Sequence, residues 1–353
     1  MAVPVTFFYP YPEEIEQAPT LDLHDPAFWS HEGKERRRAW LLQTCCWLTH
    51  FGYDARLAAT LPAEGIVVLM PEPEQQAAFQ AQFQPARHRN ILVATIRADV
   101  IGFRSPLGDA DIVQNGRFAD DRRTFFVPHW PQPGLIPRDA TRDVRIEHIV
   151  FKGGFGSLQK DFRSDAWYEA LEARGLTFEI ASAETQGTIP RWHDYRTADL
   201  SLAVRPDLGD GGLRCEKPAS KLINAWHAGV PSLLGPEYAY RELRQSPLDY
   251  IEIETPRDAL HAIDALRSDP VRYRAMVRHA RRRARSFTPA AIAKRWAQVL
   301  YDDLPRLART RPVQWTRAMP LSARRAVNFV LMPPAPFELR KQLGHVWRQT
   351  TRP

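Results

Sequence analysis

The chain has 353 residues, of which 44% are hydrophobic and 25% are charged, and its formal net charge is +7. This length suits two domains of about 150 residues each, and the composition excludes a disordered protein. Three cysteines, two of them adjacent, argue against a disulfide framework and a zinc site. We find no basic leader before an apolar run and no stretch long enough to cross a bilayer, so we expect a cytoplasmic protein.

The first half of the chain alternates strand signals with helix signals. Apolar runs predict strands at 3–8, 55–57, 65–70, 90–95, 111–114 and 124–127. Helical spacing of apolar residues predicts helices near 33–51 and 72–83. Strands that alternate with helices favour a parallel sheet.

A proline-rich passage at 129–138 interrupts this alternation, and a second series follows it. Strands are predicted at 148–151, 177–181, 200–204, 230–234 and 250–253, with helices near 165–174 and 219–228 and further helices from 258 to 304. A short echo, Ala-Asp-Ile at 110–112 and Ala-Asp-Leu at 198–200, introduces a strand in each half. We predict two α/β domains, 1–140 and 141–304, and a basic, aromatic-containing extension at 305–353.

The segment from 216 to 235 reads EKPASKLINAWHAGVPSLLG and combines a polar helix start with a buried strand. Pro218 suits the first turn of a helix, and Gly229 suits its end. Lys217 and Lys221 flank the helix start, where backbone N–H groups stabilise an anion. The segment therefore predicts a helix that faces a phosphate.

From Lys217 to Pro231 this segment resembles the motif K-P-x-x-K-L-x-N-A-x-x-A-G-x-P in the nucleotide-binding domain of GT-B glycosyltransferases. The resemblance implies two Rossmann-like parallel-sheet domains facing a cleft, with C-terminal helices. It also implies transfer of a sugar from a UDP-, GDP- or dTDP-sugar donor to an acceptor hydroxyl, with no permanently bound cofactor and no metal. In retaining members two glutamates contact the donor sugar and the ribose, and the matching positions here are Glu216 and Asn224. The stereochemical outcome therefore stays open.

Two further segments are candidates for donor binding. The glycines of the segment 151–157 would let the backbone approach the donor while Lys152 offers charge, although an ordinary tight turn is the alternative. Arg205 ends a strand and would clamp a phosphate, unless it pairs with Asp207 or Asp210. The donor-binding candidates are Lys152, Gly153, Gly154, Gly156, Arg205, Lys217, Ser220, Lys221, Asn224 and Tyr238.

An acceptor-activating base is expected from the first domain. His129 ranks first because it adjoins the predicted cleft, and His31 second because it precedes the first helix, although a lone histidine is more often structural. Glu216 is expected to hydrogen-bond the donor sugar. The D-x-D pattern at 109–111 is rejected as a metal motif because Asp111 enters a strand.

The expected acceptor is a carbohydrate or a lipid-linked intermediate of polysaccharide or glycolipid synthesis. Seven arginines at 271–285 and the mixed cations and aromatics of 305–353 suit peripheral contact with an anionic membrane at its inner face, and nucleic acid is disfavoured. Two alternatives stay open: a nucleotide-sugar epimerase of the same fold, and a non-catalytic GT-B-like protein that docks on membrane or nucleic acid.

Overall fold

The computed structural model describes residues 3–30, 35–98, 107–206, 217–317 and 319–331. The chain divides into two compact units, each with its own sheet. The first unit takes the described residues of 1–21, 36–127 and 292–353, and the second takes those of 22–35 and 128–291.

The first unit contains a parallel sheet of the six strands predicted for the first half. These strands are β1 (Val5–Phe8), β2 (Ala55–Ala58), β3 (Glu64–Leu69), β4 (Asn90–Arg97), β5 (Ala110–Val113) and β6 (Thr124–Phe126). Their order across the sheet is β2, β1, β3, β4, β5, β6, and each neighbouring pair is parallel. Nearly every residue of β3 and β4 is buried, as expected for a parallel sheet covered on both faces.

The second unit contains a parallel sheet of the five strands predicted for the second half. They are β7 (His148–Lys152), β8 (Thr177–Ala181), β9 (Leu200–Ala203), β10 (Ser232–Leu234) and β11 (Ile251–Glu252). Their order is β11, β10, β9, β7, β8, again parallel throughout. The predicted class, two parallel-sheet α/β domains, is therefore confirmed.

Helices connect most of these strands. In chain order they are α1 (Pro12–Gln17), α2 (Pro26–Trp29), α3 (Glu35–Arg37), α4 (Gln43–His50), α5 (Pro73–Gln82), α6 (Pro85–His88), α7 (Asp165–Glu172), α8 (Ala183–Gln186), α9 (Ser220–Ala228), α10 (Tyr238–Leu243), α11 (Pro256–Ser268), α12 (Pro270–Ala284), α13 (Pro289–Ala297), α14 (Leu304–Ala308), α15 (Arg311–Arg317) and α16 (Leu321–Leu331). Helix α9 ends as predicted at Gly229, whose left-handed backbone (φ 68°) lets its N–H reach the last carbonyls of the helix.

The proline-rich passage at 129–138 lies in the second unit, so the observed division falls at 127/128 and not near 140. The backbone N–H of Ile136 donates to the carbonyl of His193 (2.8 Å), and that of Arg138 donates to the carbonyl of Ala228 (3.0 Å). Such backbone bonds depend on residues far along the chain, which is why composition alone placed the boundary late.

A buried carboxylate fastens the same passage to β7 and β9. Asp199 is fully buried and accepts hydrogen bonds from the guanidinium groups of Arg138 (2.8 Å) and Arg142 (2.7 Å). It also accepts from the backbone N–H groups of Glu147 and His148, at 2.9 and 3.0 Å. Burial raises the pKa of Asp199, but these hydrogen bonds outweigh burial and hold the pKa below its usual range.

The structure groups residues 305–331 with the first unit, whereas composition set 305–353 apart as an extension. Arg324 on α16 is fully buried and forms an ion pair with the buried Asp109. The side-chain amide of Asn328 donates to the carbonyl of Gly108 at 2.9 Å. Sequence patterns identify buried positions by their apolar residues. A buried arginine such as Arg324 is therefore not recognised, and the packing of α16 against the first unit could not be predicted. Among the described residues, no helix combines the length and the apolar character needed to cross a bilayer.

Candidate functional site

The second sheet reverses its strand order between β7 and β9, which are hydrogen-bonded neighbours. From β7 the chain proceeds to β8 on one side, and from β9 it proceeds to β10 on the other. In open parallel sheets, a crevice for ligands forms outside the carboxyl ends of the strands at such a reversal. Lys152 is the last residue of β7, and Arg205 follows β9. The structure therefore places two of the predicted donor-binding segments at one edge of the sheet.

The glycine loop after β7 lies against the ammonium group of Lys221, near the start of α9. A Cβ atom built at Gly153 would come within 2.8 Å of the Lys221 Nζ, and the backbone there (φ 151°) is one that other residues rarely adopt. Lys221 also lies over the ring of Phe151, with 5.3 Å between Nζ and the ring centroid. The missing side chain at Gly153 thus brings the loop and the cation of α9 together.

At the two other glycines of the loop, Gly154 and Gly156, the protein has room for a larger side chain. A Cβ atom at Gly154 would meet only the Ser157 hydroxyl at 3.9 Å, and one at Gly156 would meet nothing within 4 Å. Neither has a positive φ. Glycine at these positions leaves open backbone that a ligand can approach closely.

Lys152 has its ammonium group largely buried. Its Nζ donates to the carbonyl of Arg191 at 2.8 Å and lies 4.9 Å from the centroid of the Tyr195 ring. Burial lowers the pKa of Lys152 to about 8. That Lys152 offers charge to a diphosphate stays a prediction, and these two contacts join Lys152 to the segment that follows β8.

Arg205 forms a buried ion pair that the sequence analysis missed. Its Nε donates to Glu237 Oε2 at 2.6 Å, and both side chains are almost fully buried. The predicted alternative partners, Asp207 and Asp210, lie outside the described residues. The signal available in the sequence was the Gly-Pro-Glu turn after β10, because that turn follows the strand next to β9.

Helix α9 begins at Ser220, close to where the sequence predicted, with Lys217 three residues before it. The first backbone N–H groups of a helix lack partners within the helix and are suited to an anion. Lys217, Ser220 and Lys221 are all partly exposed at this end. The three polar residues predicted to surround a phosphate are therefore found at one helix terminus.

Asn224 lies one turn further along α9 and is mostly buried. Its side-chain oxygen accepts a hydrogen bond from the backbone N–H of Gln132 at 2.9 Å. The amide oxygen is therefore used within the second unit. That Asn224 hydrogen-bonds a ribose stays a prediction. Tyr238, the first residue of α10, is 37% exposed.

Of the three residues predicted to take part in catalysis, only His129 lies among the described residues. His31 and Glu216 lie outside the described residues. His129 is partly buried, and its Nδ1 lies 2.6 Å from the carbonyl oxygen of Trp130. The base was expected from the first domain, but His129 belongs to the second unit.

Both aspartates of the D-x-D pattern, Asp109 and Asp111, form ion pairs with arginines of the first unit. Asp109 pairs with Arg324, and Asp111 accepts from Thr95 Oγ1 at 2.5 Å and from Arg97 at 3.2 Å. In the described part of the chain, no group of three acidic, histidine or cysteine side chains is arranged to hold a metal ion.

Neither a protein-family model nor a curated protein matches the chain. Among solved structures, HepE from Anabaena in complex with UDP is similar over 85% of this chain and 99% of its own, with 8% identity and a TM-score of 0.50. TarM (10% identity, TM-score 0.47) and the GtfA/B complex (12% identity, TM-score 0.43) each match 74% of this chain. The chain spans 58% and 60% of the lengths of those two proteins. The likeness to HepE shows that the chain has the GT-B fold.

Proposed function

We propose that this protein is a glycosyltransferase that moves a sugar from a nucleotide-sugar donor to an acceptor hydroxyl. The observation that supports this best is the arrangement at the strand reversal of the second sheet. There the glycine loop after β7 meets Lys221 and the start of α9. Open backbone, a cation and a helix N-terminus at one sheet edge are the groups that bind a diphosphate.

The same groups would also serve the chemistry. When the bond between the sugar and the diphosphate breaks, negative charge develops on the leaving nucleoside diphosphate. Fixed cations and helix N–H groups at that position stabilise the transition state. We assign this role to Lys217 and Lys221, and Arg205, which follows β9 and is fixed by its ion pair with Glu237, is a further candidate for the same role.

The remaining groups are assigned by position and by the motif. The N–H groups of the Asn224 amide and the ring of Tyr238 would contact the nucleoside. Glu216 would bond the donor sugar, and His129 and His31 are the candidates for a base that activates the acceptor. We place the reaction in the cytoplasm, with a carbohydrate or lipid-linked acceptor at the inner face of the membrane.

Calorimetric titration of the full chain with UDP, GDP, ADP, dTDP and CMP tests the donor assignment. We expect tight binding of one nucleoside diphosphate, with weaker binding by Lys217→Ala and an unchanged unfolding transition, since a surface lysine contributes little to stability. Equal affinity of Lys217→Ala and the native chain would contradict the site, and binding of none of the five nucleotides would contradict the function.

A further inference from the structure

Helices α14 and α15 present a basic surface that also exposes a tryptophan. No acidic residue occurs between Asp303 and Glu338, a stretch with six arginines. The structure separates these arginines by burial, since Arg324 is buried against Asp109. We define the arginine–tryptophan surface by four exposed residues of this stretch: Arg306, Arg309, Arg311 and Trp315.

The geometry of α15 fixes which residues face outward. Arg311 and Trp315 are four positions apart and so share one face of the helix. Val313 and Thr316 are buried and occupy the opposite face. Trp315 is 62% exposed, so more than half of the surface of a large aromatic residue is left in water, which is costly.

The charges of this surface are weakly neutralised within the protein. Arg309 and Arg311 form no ion pair with any residue that the structure describes. Arg306 contacts Asp303 at 2.9 Å, but its side chain is 69% exposed, and such a pair is screened by solvent. Arg311 therefore places a positive charge on the same helix face as the Trp315 ring, and the exposed Arg306 and Arg309 add positive charge just before this helix in the chain.

We propose that the arginine–tryptophan surface docks the protein on an anionic lipid bilayer. Arginines near an anionic membrane are attracted to its surface, and tryptophan favours the boundary between headgroups and acyl chains. Duplex nucleic acid would attract the same arginines but has no apolar layer for the indole ring. Helix α12 also has exposed arginines, but it exposes no aromatic side chain, and its Arg274 and Arg283 pair with Asp143 and Asp249.

Co-sedimentation of the full chain with phosphatidylcholine vesicles, with and without phosphatidylglycerol, tests this docking. We expect binding only to the vesicles with phosphatidylglycerol, reversed by salt. The variant R306Q/R309Q/R311Q should bind about a hundredfold more weakly, because each arginine near the surface contributes about a fivefold factor. Trp315→Ser should also weaken binding, by a factor that salt changes little.

The matched control is R272Q/R278Q/R285Q, which removes the same charge from exposed positions of the second unit and should bind vesicles nearly as the native chain does. Vesicle binding that is lost in this control but kept in R306Q/R309Q/R311Q would overturn the proposal. Equal binding to neutral vesicles, or binding to duplex DNA without binding to vesicles, would also overturn it. The docking is independent of the donor site, so nucleotide affinity should be the same in all these variants.

Discussion

The first five strands of the first sheet have the same order as the five strands of the second, but the two sheets differ in the loops at their strand reversals. In the first unit, the loops after β1 and β3 contain Pro10 and Pro71, and the helices that follow these loops begin at Pro12 and Pro73. In the second unit, the loop after β7 contains three glycines. Proline removes a backbone N–H, and glycine exposes one, so the same topology gives loops with opposite capacities for anions.

The side chains at the two strand reversals also differ in their capacity to bind an anion. In the first unit, Glu14 is buried and accepts hydrogen bonds from Tyr9, Arg37 and Arg38. These groups are hydrogen-bond partners of one another within the unit. In the second unit, Lys221 lies at the exposed start of a helix. The comparison teaches that strand order locates a crevice, whereas loop composition decides whether it suits a diphosphate.

The largest expected effect concerns Asp109 and Asp199, the buried carboxylates that directly precede β5 and β9. Asp199→Ala should lower the free energy of unfolding by about 3–5 kcal/mol, because it leaves the buried Arg138 without its carboxylate. Asp109→Ala should do the same in the first unit, because Arg324 is fully buried. Urea unfolding followed by circular dichroism measures both. The exposed Asp264→Ala is the control, and losses as small as in that variant would contradict this account.

The stabilisation that Asp199 provides should depend on pH, because the pKa of Asp199 is lowered in the folded protein. Because the folded-state pKa lies below the usual value, the stabilisation is present above the ordinary carboxyl pKa. It is lost as the pH falls through the folded-state pKa. The native chain should therefore lose stability on acidification more steeply than Asp199→Ala, and parallel profiles would show that Asp199 is not responsible.

The next effect concerns nucleotide affinity. Lys221→Ala should weaken nucleoside diphosphate binding about tenfold to a hundredfold, as expected when a charge-assisted hydrogen bond is removed. Lys160→Ala, at an exposed position of the same unit, is the matched control. Calorimetric titration measures both, and equal losses in the two variants would mean that only net charge matters.

Proton uptake tests whether Lys152 contacts the donor. With a pKa of about 8, Lys152 is roughly half neutral near that pH. A diphosphate beside it would raise its pKa, so binding should take up about half a proton per nucleotide. Titrations in buffers of different ionisation enthalpy measure this number, with Lys152→Gln as control. Zero uptake in the native chain would place Lys152 outside the site.

The smallest expected effect on stability is at Gly156. Gly156→Ala should change the free energy of unfolding by no more than about 0.5 kcal/mol, because its Cβ atom enters open space. It should still weaken nucleotide binding if the backbone there approaches the ligand. Gly153→Ala, which disturbs both the backbone and Lys221, should weaken binding more. Equal affinities of Gly156→Ala and the native chain would remove Gly156 from the site.

Much of the fold was predictable because apolar runs and punctuating residues are local signals. The eleven strands match the predicted positions within a few residues. Gly229 ends α9 because its left-handed conformation favours glycine. The motif from Lys217 to Pro231 also predicts the fold, because it resembles the nucleotide-binding segment of GT-B glycosyltransferases.

The partners of polar side chains were not predictable, because they come from distant parts of the chain. Glu237 lies 32 residues after Arg205, and Gln132 lies 92 residues before Asn224. The echo between the halves also had the wrong register. Asp109, and not Asp111, matches Asp199, because each accepts the backbone N–H of a residue on the adjacent strand.

The most direct test of the account is amide hydrogen exchange of the full chain with and without a saturating nucleoside diphosphate. We predict slower exchange at 152–157 and 217–223 in the second unit, and no change at 9–14 and 70–76 in the first. Protection confined to the loops of the first unit would contradict the claim that glycines and lysines at the second strand reversal form the donor site.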